Sequence, residues 1–219
     1  MSEINHIISP SILSCDFSRL GEEIKKIDAS AAEYIHIDVM DGVFVPNITL
    51  GHPVIKQLRK FSSKVFDVHL MIINPRKYIE AFAGAGADII GIHREINDDI
   101  TSCLTTIRKL GLKSCLVYNP DTPVNDLEGF LPYTDQILLM SVYPGFGGQK
   151  FIRSALVKGK ECRKLINKSG LAVDLEIDGG VGFDNAHEIK LAGFNVLVSG
   201  HTLFSAPDFK AAVQKLKDI

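Results

Sequence analysis

Apolar and β-branched residues recur along this chain at two alternating spacings. Runs of period two predict strands at 7–13, 34–40, 64–71, 87–93, 113–118, 136–142, 172–178 and 194–199. Helical spacing or helix-start chemistry falls between them. Leu20, Ile24, Ile27 and Ala31 share one helical face within 19–32, and a short helix follows at 53–61. Asn74-Pro75 supplies a cap and first turn, a further helix runs from about 98 to just before Gly111, and Thr122-Pro123 opens a short one. A long helix spans 153–168, Asp184 caps the next, and Pro207 leads the last.

Strands alternating with helices call for a parallel sheet. Eight such units predict an α/β fold, one (β/α)8 barrel of the TIM type with parallel strands, spanning 1–219 as a single domain. A doubly wound open sheet is the alternative. No Gly-x-Gly-x-x-Gly follows the first strand, which counts against a dinucleotide-binding version of it.

The second strand is unusual. Its inward parity reads His36-x-Asp38-x-Met40, and Asp41-Gly42 then supplies turn chemistry at its carboxyl end. Burying a carboxylate costs several kcal/mol unless something compensates it, so Asp38 requires a counter-charge. In a barrel of this kind the functional groups gather at the carboxyl ends of the strands. That rim offers Ser11, His36, Asp38, His69 and His93, and Asp178 followed by Gly179-Gly180. His36, Asp38, His69 and Asp178 form a donor set for one divalent cation, Zn²⁺ or Fe²⁺ before Mg²⁺. The same residues also fit as hydrogen-bonded core groups, and the residues alone leave both readings open. His93, beside Arg94 and Glu95, reads as bordering a solvated loop. Asp67 and Glu176 share the inward parity one layer deeper, as groups orienting the ligands or as a separate buried polar layer.

Met40, Met71 and Met140 each end a predicted strand, either filling the core or lining a water-excluding site. Glycine-rich turns follow strands six, seven and eight: Pro144-Gly145-Phe146-Gly147-Gly148-Gln149, Gly179-Gly180 and Gly200. Backbone amides on such turns can converge on a dianion, so a phosphorylated substrate is expected.

Composition mainly excludes. Net charge is −2 with no basic block, which argues against a nucleic-acid surface. No apolar run approaches the ~18 residues of a membrane helix, and residues 1–6 carry no leader pattern. Cys15, Cys103, Cys115 and Cys162 lack zinc-ribbon or disulfide spacing. A cytoplasmic enzyme acting on a small molecule is expected, without nucleic acid or membrane.

Five co-linear motifs carry a resemblance. Ser9-Pro10-Ser11-Ile12-Leu13, His36-Ile37-Asp38-Val39-Met40-Asp41-Gly42, Asp67-Val68-His69-Leu70-Met71, Pro144-Gly145-Phe146-Gly147-Gly148-Gln149 and Asp178-Gly179-Gly180-Val181 together resemble the ribulose-phosphate 3-epimerase family. The likeness runs from about residue 7 to 205. It implies a metal-dependent isomerase that interconverts D-ribulose 5-phosphate and D-xylulose 5-phosphate, in the pentose phosphate pathway, and a homo-oligomer. By that likeness His36, Asp38, His69 and Asp178 would hold one divalent ion (Zn²⁺ or Fe²⁺, with Mn²⁺ or Co²⁺ as further candidates). Asp38 and Asp178 would double as acid and base. Ser11 and His69 would contact the sugar, and Gly145, Phe146, Gly147, Gly148, Gly179, Gly180 and Gly200 would surround the phosphate. Cys15, Tyr143 and His201 depart from the family's usual residues, and His201 is retained as a phosphate donor.

Three rivals remain at this level. D-allulose-6-phosphate 3-epimerases share most of these motifs. A Schiff-base aldolase or isomerase needs an inward lysine at a strand end, and none lies there. A non-catalytic barrel has no reason to hold four converging ionisable groups.

Overall fold

Among the described residues, 6–219, the computed structural model contains eight parallel strands alternating with helices. The leader reading of residues 1–5 lies outside them. The strands are β1 Ile7–Pro10, β2 Tyr34–Met40, β3 Val65–Met71, β4 Ile89–His93, β5 Lys113–Tyr118, β6 Gln136–Met140, β7 Asp174–Asp178 and β8 Val196–Ser199. Each pairs in parallel with the next from β2 to β8, and β8 pairs with β1. The ring closes between its first two strands through a bridge of Ser11 with His36 and the Glu33 N–H donating to Ile8 O at 3.2 Å.

Parity explains the core. Ile35, Ile37 and Val39 point outward under the helices with Phe66, Val68 and Leu70. Burying each large apolar side chain contributes roughly 1.5–3 kcal/mol. Tyr34, Ile89, Cys115, Val117, Leu138 and Val196 pack inside the barrel. His36, Asp38 and Met40 share the inward parity of Tyr34, at the carboxyl half of the ring.

The helices are α1 Leu20–Asp28, α2 His52–Leu58, α3 Ile79–Gly84, α4 Ile100–Lys109, α5 Leu127–Phe130, α6 Ser154–Ser169, α7 Ala186–Leu191, α8 His201–Phe204 and α9 Phe209–Asp218. Several predicted starts are corrected. Asn74 precedes only a 3₁₀ turn and makes no side-chain cap bond, because α3 begins later, at Ile79. Asn185, not Asp184, occupies the cap position of α7, and its Oδ1 closes the turn by accepting the Gly182 N–H at 2.8 Å. Asp208, just after Pro207, caps α9 by accepting from Ala211 N. The helix expected at Thr122-Pro123 begins only at Leu127. Helix α8, directly after β8, has no sequence counterpart among the predicted elements. No helix among the described residues is long and apolar enough to cross a membrane.

Candidate active site

Strand register assembles the cluster. On β2 and β3, His36 lies level with Asp67, Asp38 with His69, and Met40 with Met71. Across the ring, Met140 of β6 is level with Asp178 of β7. One ligand atom from each of His36, Asp38, His69 and Asp178 lies within 4.8 Å of the others. The two histidines and Asp38 are buried, while Asp178 lies deep in the barrel yet keeps part of its surface open to the cavity.

Local chemistry fixes each group. The Thr49 hydroxyl donates to Asp38 O at 2.7 Å and receives the Met40 N–H at 3.0 Å, which locks the end of β2. Asp41 Oδ1 accepts the Val43 and Phe44 N–H groups, each at 2.8 Å, which makes the turn expected there. Ser11 Oγ donates to Asp38 Oδ2 at 2.7 Å. The His36 Nδ1–H donates to Asp67 Oδ2 at 2.8 Å, so Asp67 acts as an orienting group for His36. Glu176 sits in the same buried layer and accepts from Gln136 Nε2 at 2.6 Å.

A divalent cation fits this donor set on one specific observation. His36 Nε2 is buried and makes no hydrogen bond among the described residues, and its nearest carboxylate oxygen, Asp38 Oδ1, is 3.4 Å away. Such an orphan atom is costly unless something takes its lone pair or its proton. Two imidazoles and two carboxylates are donors that a first-row divalent ion accepts.

The two carboxylates differ in proton affinity. Burial alone would raise Asp38, but the adjacent His36 ring overcomes it and holds Asp38 well below the usual range. Asp178 has the same histidine rings nearby, which lower it, but they are outweighed. Burial, and then the charge of Asp38, push it up to about 6. His36 is held well above its ordinary value despite burial, because Asp38 and Asp67 favour its cation. Burial, and then the charge of Asp67, push the deeper Glu176 well above its ordinary value.

Above the cluster a cavity opens, walled by Ser11, Asp38, Met40, Met71, Met140, Gly145, Phe146, Gly147, Gly148, Asp178, Gly179, Gly180, Gly200 and His201. The three methionines are buried and also form its floor, so their core and lining roles coincide. The rings of His36 and His69 lie outside that wall and beneath it. Sequence reasoning passed over Ser14, Asp184 and Thr202, which also line the mouth; none of these belongs to a periodic run. The glycine turns stand close together on one side. Gly180 has φ +63°, and a Cβ there would meet Phe151 N at 2.8 Å and Gln149 O at 2.9 Å. Asn47 Nδ2 donates to Gly145 O at 2.9 Å, tying the loop after β2 to the loop after β6.

His93 corrects the solvated-loop reading. Its ring is fully buried, with Nε2 2.8 Å from His69 Nε2 and Nδ1 3.0 Å from Glu95 Oε2. Burial lowers His93 to about 4, and hydrogen bonds from His93, Thr122 and Asn119 outweigh burial to hold Glu95 at about 2.

A sequence model described as the Ribulose-phosphate 3 epimerase family matches residues 7–204. Ribulose-phosphate 3-epimerase of Synechocystis sp. is 48% identical over 98% of this chain and 94% of its own length. The Escherichia coli (strain K12) protein of that name is 44% identical over 97% of this chain and 95% of its own. That of Bacillus subtilis (strain 168) is 44% identical over 96% and 97%. Solved structures with a similar fold include 3-hexulose-6-phosphate synthase (TM-score 0.71, 15% identity, covering 97% of this chain and 98% of that one). KGPDC from Streptococcus mutans is another (TM-score 0.70, 12% identity, 99% and 97%). At those identities the likeness concerns the fold alone.

Proposed function

The chain belongs to the ribulose-phosphate 3-epimerase family and is an epimerase of that family, and from that premise we propose that it inverts C3 of D-ribulose 5-phosphate by a metal-dependent two-carboxylate mechanism. The observation that carries the reading is the placement of Asp38 and Asp178, on the non-adjacent strands β2 and β7, at the floor of one cavity, with Asp178 holding a proton more readily than Asp38.

Inversion next to a ketone needs a proton removed from one face of C3 and another delivered to the opposite face. Ionised Asp38 takes the C3 proton, and the C–H electron pair moves through C2 onto O2 to give an enediolate. Protonated Asp178 then donates its proton to C3 from the other side. The product leaves the two carboxyls with exchanged protonation, which suits the reverse reaction. Ser11 steadies Asp38 through the 2.7 Å bond to Oδ2. A divalent ion held by His36, Asp38, His69 and Asp178 supplies positive charge that polarises the C2 carbonyl and lowers the cost of charge on O2. Zn²⁺ or Fe²⁺ suits these donors best, with Mn²⁺ and Co²⁺ next. The amides of Gly147, Gly148, Gly179, Gly180 and Gly200 receive the phosphate, with His201 at the same rim.

Four unpaired cysteines support a reducing, cytoplasmic setting. Self-association belongs to the same reading; the exposed apolar Val43 and Ile48, on the loop after β2, support it, and sedimentation reads it out.

The test is epimerisation in D₂O with metal-stripped protein, then with Zn²⁺, Fe²⁺, Mn²⁺ or Co²⁺ restored singly. Metal-dependent conversion with deuterium arriving at C3 is the expected result. If no metal gives conversion or exchange on the pentose phosphate but D-allulose 6-phosphate turns over, the hexose reading replaces this one.

A further inference from the structure

We propose that His93 and Glu95 are positioning residues that hold His69 as its Nε2–H tautomer, so that its Nδ1 lone pair faces Asp38 and the cation position. The proposal rests on the metal-dependent reading above.

The argument begins at Glu95. Its Oε1 accepts the Asn119 N–H at 2.9 Å and the Thr122 hydroxyl, and its Oε2 lies 3.0 Å from His93 Nδ1. An ionised carboxylate is acceptor-only, so the proton of that third bond sits on His93 Nδ1. A neutral imidazole has one N–H, which leaves His93 Nε2 as a bare lone pair. That atom is 2.8 Å from His69 Nε2. A hydrogen bond between two imidazole nitrogens requires one N–H and one lone pair, so His69 Nε2 is the donor.

The consequence is felt on the other side of the His69 ring. As the Nε2–H tautomer, His69 presents a lone pair at Nδ1, 3.2 Å from Asp38 Oδ1. Two acceptors facing each other at that distance repel unless a cation lies against both. The relay therefore sets His69 as a ligand and forbids it from satisfying Asp38 as an ordinary core histidine would. Packing holds the geometry in place: His93 stacks on His69 at 4.9 Å between centroids and touches Phe44 at 4.6 Å. Two strands, β3 and β4, and the loop after β5 thus combine to orient one ring.

Two measurements test this. Long-range ¹H–¹⁵N NMR of the metal-free wild-type protein, in mildly alkaline buffer, reads the histidine tautomers directly. The expected pattern is a protonated Nε2 with a bare Nδ1 at His69, and the converse at His93. Chelator-competition titration with Co²⁺ then compares His93→Leu with His93→Gln, whose side-chain oxygen can still accept from His69. His93→Leu should weaken Co²⁺ binding about 10–100-fold and change its visible absorption, while His93→Gln stays within a few-fold of wild type. A proton on Nδ1 of His69 in the wild-type protein, or unchanged Co²⁺ affinity in His93→Leu, overturns the proposal. Wild-type protein that binds no Co²⁺ overturns the metal reading instead, and the tautomer measurement then still decides whether His93 sets the His69 ring.

Discussion

Asp67 accepts a hydrogen bond from His36 Nδ1 at 2.8 Å from the level position on the neighbouring strand, so His36 can offer the cluster only its Nε2. Removing the acceptor frees the ring to turn over or change tautomer. Asp67→Ala should lower divalent-metal affinity about 10–100-fold, and Asp67→Asn, which keeps an acceptor oxygen, should lose less. Competition titration against a chelator separates the two.

The two carboxylates proposed as acid and base make distinguishable variants. Asp178→Asn removes the acid but leaves Asp38 able to take a C3 proton and return one to the same face. Epimerisation should fall by about 10²–10⁴-fold, while solvent deuterium still enters C3 of one epimer only. Asp38→Asn should confine exchange to the other epimer. Metal content measured on each variant, together with NMR of substrate incubated in D₂O, shows whether loss of a ligand or loss of the acid/base is responsible.

Asp178 also predicts a pH dependence. Its folded value, about 6, lies above the ordinary 3.8. The folded metal-free protein therefore binds an extra proton between those values. The stability that this confers is fully present below about pH 4 and is lost as pH rises through about 6, by on the order of 3 kcal/mol. Asp178→Asn abolishes that loss. Urea unfolding of both proteins in chelator should show the variant gaining on wild type by about that amount as pH rises from about 4 to 8. A constant difference would mean that Asp178 titrates normally.

The glycine-lined rim of the cavity yields a backbone prediction. Gly180 combines a left-handed φ with neighbouring backbone atoms closer than any Cβ tolerates. Gly180→Ala should destabilise the protein by about 1–3 kcal/mol and raise KM for the phosphorylated ketose more than it lowers kcat. Thermal unfolding and steady-state kinetics read the two effects separately.

The barrel was legible because outward parity carries apolar side chains on nearly every strand, which makes the strands the strongest periodic signal in the chain. The cluster was legible because Asp38 and His36 interrupt that pattern on an inward face. His93 was not, because its chain neighbours Arg94 and Glu95 are charged; Glu95 in fact folds back on the ring, a contact set by the loop after β5 rather than by local spacing. Asn74 and Asp184 have the chemistry of caps, but α3 and α7 start one or more residues beyond them, where tertiary packing begins the helix. Helix α8 is a single turn, too short for its periodicity to register.

The seam of the barrel has a consequence in time. Ser11, which bridges to His36 where the ring closes, also donates to Asp38, while Asp178 and the glycines of β7 and β8 come from the far end of the chain. A ribosome-bound chain that has emerged only as far as β6 carries three of the four clustered side chains but neither the second carboxylate nor the last strand against which β1 pairs. The complete pocket is thus a product of finished synthesis, and truncated chains hold neither the full four-residue cluster nor both of its carboxylates.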